Sequence, residues 1–69
     1  MTSAYIAALV RAVLTEYGLP DVLQRVAALP FSWEVTLRSP AGAERYLTIH
    51  DGGLETVTDA IRRALSPGV

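Results

Sequence analysis

Residues 31–53, FSWEVTLRSPAGAERYLTIHDGG, carry the pattern on which the fold turns. Phe31, Trp33, Val35 and Leu37 alternate with Ser32, Glu34, Thr36 and Arg38. A period of two puts one set on each face of a β-strand. In the return strand, Leu47 and Ile49 take the apolar side and leave Tyr46, Thr48 and His50 opposite. Directly paired residues share a face, so odd positions must meet odd ones. The loop Ser39-Pro40-Ala41-Gly42-Ala43 satisfies this if Arg38 pairs with Glu44, which sets opposite charges across the hairpin. Trp33 then faces Ile49, and Val35 faces Leu47. The expectation is a β-hairpin, 31–38 and 44–50, with no third strand.

Helices are expected on either side. From Ser3 to Tyr17, apolar residues fall at Ile6, Leu9, Val10, Val13, Leu14 and Tyr17, the stripe of an amphipathic helix. Thr2 or Ser3 can cap its start, and Gly18 stands where a left-handed residue ends a helix. Ala4, Ala7, Ala8 and Ala12 widen its smooth face. A second helix, 20–29, is read from Val22, Leu23, Val26 and Leu29, with Pro20 at its first turn and Pro30 closing it. After the break at HDGG, Leu54, Val57, Ile61, Ala64 and Leu65 form the stripe of a third, 54–66, ended by SPGV. The expected class is α+β, a small two-layer sandwich in the order α-α-β-β-α, forming a single domain 1–69.

Composition narrows the function. A 69-residue chain is short for a self-sufficient core, and such chains often add a disulfide, a metal or a partner subunit. There is no cysteine and only one histidine, which leaves self-association. The chain is 51% hydrophobic and only 19% charged, so apolar surface is expected to remain for another molecule to cover. Net charge is −1, which makes no case for nucleic acid or a membrane surface. AYIAALV is too short to span a bilayer and has neither the basic start nor the cleavage site of a signal peptide. A cytoplasmic location is the expectation.

Chemistry-bearing motifs are weak. His50-Asp51 has the composition of a general base beside its orienting carboxylate, with Thr48 or Ser32 as a hydroxyl partner. Neighbours on a strand point to opposite faces, however, so a strand-end His followed by a turn-forming Asp-Gly fits better. Glu34 shares the His50 face without a metal-ligand spacing. DGG lacks the further glycines or the lysine of phosphate loops. No catalytic residue, cofactor or metal is expected.

A winged or hairpin-type nucleic-acid regulator is the alternative, with Arg38 and Arg45 near the hairpin tip. Against it, Asp21–Arg25, Asp59–Arg63 and Arg38–Glu44 are expected to pair locally, leaving Arg11, Arg45 and Arg62. Trp33 and Phe31 belong to the core by alternation, whereas Tyr46 and Tyr5 are candidates for exposure.

The function expected is a small non-enzymatic protein-binding module that occludes or bridges a partner protein, as phage- or mobile-element-encoded inhibitors do. An isolated hairpin is marginal in water and invites edge pairing, so a homodimer is expected to complete the sheet. The strand of Arg45, Tyr46, Leu47, Thr48, Ile49 and His50 has no proline and is the expected interface.

Overall fold

The structure, a computed structural model, describes residues 1–66. It runs α1 (Ser3–Glu16), β1 (Val22–Leu29), β2 (Ser32–Arg38), β3 (Glu44–His50) and α2 (Leu54–Leu65). The strands form one antiparallel sheet in the order β1-β2-β3. Both helices lie on one face, α1 against β1 and α2 against β3, and they touch each other. The class is α+β, and the order is α-β-β-β-α.

The hairpin is paired as its alternation requires. Arg38 is opposite Glu44, Val35 opposite Leu47 and Trp33 opposite Ile49. The tip is a five-residue loop in which the Ser39 N–H donates to the Ala43 carbonyl and Ser39 Oγ accepts from the Ala43 N–H. Trp33, Val35, Leu37, Leu47 and Ile49 meet Ile6, Val10, Val13 and Leu14 of α1 and Val57, Ile61 and Leu65 of α2. Every one of these side chains is buried, and no polar or charged residue is buried among the described residues.

The segment expected as a helix over 20–29 is instead the strand β1, and β1 is the third strand that the hairpin was thought to lack. A bulge explains the misreading. Leu23 pairs with Leu37 and Val26 with Val35, so both lie on the helix-covered face, and the register shifts by one residue at Gln24. The inserted residue stretches the interval between inward apolar positions from two to three, which imitates helical spacing. The connection to β2 adds to the disguise. Leu29 pairs with Ser32, so the turn is only Pro30-Phe31. Among the described residues only Gly18 and Gly42 have positive φ, so this turn is neither of the primed types that Asn-Gly or Gly-X would advertise.

Phe31 therefore leaves the core assigned to it. It stands at the turn with 82% of its surface exposed. Leu54, expected in the apolar stripe of the last helix, is also exposed. That helix ends at Leu65 with Ser66 as its C-cap, and the rest of SPGV, 67–69, lies outside the described residues.

The ends of α1 match the expectation closely. Thr2 is the N-cap, its Oγ1 accepting from the Tyr5 N–H at 3.1 Å. Tyr17 is the C-cap and Gly18, at φ +65°, follows it. The Gly18 N–H bonds the Thr15 carbonyl and the Leu19 N–H bonds that of Leu14, the paired closure of a Schellman motif. Nothing lies within 4 Å of a Cβ built on Gly18, so the demand for glycine is purely one of backbone. Gly18→Ala should cost about 1–2 kcal/mol, readable as a lower urea midpoint with an unchanged slope.

Candidate functional site

The two sheet edges differ. β1 is bulged at Gln24 and flanked by Pro20 and Pro30, both devices that blunt an edge against pairing. β3 is seven residues long, pairs with β2 without a register shift, and contains no proline. β2, which would be an edge in a two-stranded hairpin, is instead the central strand.

Two backbone bonds reveal which way the β3 amides point. The Asp51 N–H donates to the Phe31 carbonyl, and the Ser39 N–H to that of Ala43, each at 2.9 Å. These are the positions just beyond the two ends of the β2–β3 ladder. Antiparallel pairs alternate between bonded and non-bonded, so the bonded ones within the ladder are Trp33/Ile49, Val35/Leu47 and Leu37/Arg45. The backbone N–H and C=O groups of Glu44, Tyr46, Thr48 and His50 accordingly point away from β2, along the free edge. Their side chains share the face that the helices leave open, whereas Leu47 and Ile49 are buried beneath α2.

Arg45 stands apart from its neighbours. It shares the helix-covered face with Leu37, and its Nη2 donates to the Ala64 carbonyl at 2.7 Å. A cation on a carbonyl of the last turn of α2 is favoured by the helix dipole as well as by the hydrogen bond. Arg62 pairs with Glu16 across the helices at 3.5 Å. Both had been expected to be free. The local pairs expected instead, Asp21–Arg25, Asp59–Arg63 and Arg38–Glu44, do not form among the described residues. For the first of these the reason is the extended backbone: four residues along a strand span about 13 Å, not one helical turn.

Glu44 is engaged by Tyr46, whose hydroxyl donates to Oε2 at 2.9 Å. That bond, with the carboxylate charge behind it, raises the Tyr46 pKa above its usual 10.0. A raised folded-state value favours the neutral phenol, so the contribution to stability is present below the unfolded pKa and is lost as pH rises through the folded one. In alkaline absorbance titrations, the phenol missing from Tyr46→Phe should be one that titrates above 10.0 in the parent chain. Glu44→Ala should bring it back down.

The second surface is the end of the molecule where both helices begin. Met1, Thr2, Tyr5 and Leu54 line an apolar depression there. Beside it, Met1, Thr2 and Ser3 face Leu29, Pro30 and Ser32 around the β1–β2 turn, with Asp51 at the margin. Seven large apolar side chains are exposed among the described residues, and five of them (Met1, Tyr5, Leu29, Phe31 and Leu54) gather at this end. The exposure expected for Tyr5 and Tyr46 is present. The gathering was illegible because it depends on the turn at Phe31.

His50 lies on the open face at the end of β3, and Asp51 is turned into the loop, its Oδ1 accepting from the Gly52 N–H at 2.9 Å. Glu34 is opposite Thr48, and His50 opposite Ser32. No group of three metal-ligating side chains forms among the described residues. No described helix is long and apolar enough to cross a membrane. The chain matches no protein-family model, no curated protein and no solved structure.

Proposed function

We propose that the chain is a small protein-binding module that occludes or bridges a partner protein, with no enzymatic chemistry of its own. The observation that carries this reading is Phe31, 82% exposed in a two-residue turn, with its sequence neighbours Pro30 and Ser32 lining the same end of the molecule as Met1, Tyr5, Leu29 and Leu54. A large aromatic with apolar neighbours is the usual composition of a binding hot spot, and a chain with so small a core gains nothing by leaving it in water.

The test is quantitative affinity capture from the native cells, comparing the parent chain with Phe31→Asp. Phe31 makes little buried contact, so the variant should fold normally. A protein captured by the parent and lost from the variant supports the reading. Capture that is indifferent to Phe31 overturns it. So does retention on duplex DNA at about 150 mM salt with a steep salt slope, because that slope counts released phosphate counterions. The helix expected over 20–29, on which a winged arrangement depended, is a strand.

A further inference from the structure

We infer that the free edge of β3 is a self-recognition site, pairing antiparallel with β3 of a second copy about a two-fold axis at Leu47. Three observations converge on this occupant. First, the edge is competent: Glu44, Tyr46, Thr48 and His50 direct unpaired backbone donors and acceptors outward along a straight, proline-free strand. The opposite edge is bulged and bordered by prolines.

Second, the register is self-complementary. Outward-pointing residues must meet outward-pointing residues, so even positions face even ones. An axis at Leu47, the centre of Glu44–His50, pairs the whole strand with its copy. Glu44 then lies opposite the second copy's His50, and Tyr46 opposite its Thr48. Shifting the axis to Tyr46 or to Thr48 loses an end pair and separates the carboxylate from the imidazole. A carboxylate opposite an imidazole is a favourable cross-strand pair, since the ring N–H can donate to it, and the two-fold axis makes every such contact twice.

Third, the approach is open. Arg62 bonds Glu16 of α1, which identifies the flank of α2 that faces the other helix. Thr56, Ala60 and Ala64 lie on the opposite flank at four-residue spacing, and Arg45 reaches Ala64 from β3. Short side chains there leave room for a second strand. The product is a six-stranded sheet with all four helices on one face and the two open faces made continuous.

The absence of native cysteine makes the register directly measurable. Paired Cα atoms about 5.5 Å apart are within disulfide range. Tyr46→Cys mixed with Thr48→Cys should cross-link on mild oxidation, and neither should do so alone. Sedimentation equilibrium should show a dimer of the 7.4 kDa chain at micromolar concentration and a monomer for Thr48→Pro, which removes an edge donor without touching the β2 ladder.

A parent chain monomeric throughout that range overturns the inference. So does a dimer that survives Thr48→Pro, which would place the contact elsewhere, such as the exposed Ala4, Ala8 and Ala12 of α1. Cross-linking of either single-cysteine variant alone overturns the register. Phe31→Asp should leave the dimer intact, which separates this surface from the one proposed to bind a partner protein.

Discussion

Trp33→Ala is expected to remove about 3–5 kcal/mol of stability, the usual cost of deleting a large buried aromatic. Trp33 occupies the central strand, 7% exposed, between Ala28 on β1 and Ile49 on β3. Its ring is therefore flanked along the sheet and belongs to the core that the helices share. Domains of this length have about 3–10 kcal/mol in total at the usual per-residue scale, so the variant should be largely unfolded at ordinary temperature. Tyr46→Ala is the comparison. Its ring is 63% exposed on the open face, and the loss should be about 0.5 kcal/mol. Urea unfolding of the two variants gives both numbers, and equal losses would mean that the faces of the sheet are reversed.

Thr36→Pro should be nearly as damaging, at about 2–4 kcal/mol from a lost ladder bond and an acceptor left unpaired. The size of the effect depends on β1. The alternation that turns Thr48 outward on β3 turns the Thr36 N–H towards β1, where Thr36 is opposite Arg25. Proline removes that donor and pulls φ from the extended range to about −65°. In a chain with only the hairpin 31–50, the same amide would face solvent and proline would be tolerated. Loss of the far-ultraviolet strand signal, or a urea midpoint lowered as far as that of Trp33→Ala, is the expected outcome. A stable Thr36→Pro chain would show that β1 does not pair.

The contrast between these elements explains how much of the fold was legible. β2, β3 and the caps of α1 announce themselves because each obeys one local rule: strict alternation, an odd-to-odd register, a threonine before the helix and a glycine after it. β1 obeys two rules in sequence, an alternating one on either side of Gln24, and the sum resembles a helix. Its turn reaches back without glycine or asparagine. Missing it moved Phe31 from the surface into the core and hid the apolar end, because that end is assembled from the β1–β2 turn and the starts of both helices. The β3 edge was legible as a proline-free strand. The direction of each amide was not, since hydrogen-bond phase has no signature in residue type.

The contact between α1 and α2 governs the order in which the molecule can be built. Each strand meets the next through a short turn, so the meander involves only near neighbours and can close within microseconds of its synthesis. α1 precedes the three strands and α2 follows them, and the two helices touch on the same face of the sheet. Val57, Ile61 and Leu65 are made after every strand residue, yet they share one core with Leu47 and Ile49. On the ribosome, α1 can therefore cover β1 early, while the apolar side of β3 waits until α2 has been made. A chain interrupted before Leu65 keeps Leu47 and Ile49 without their full cover.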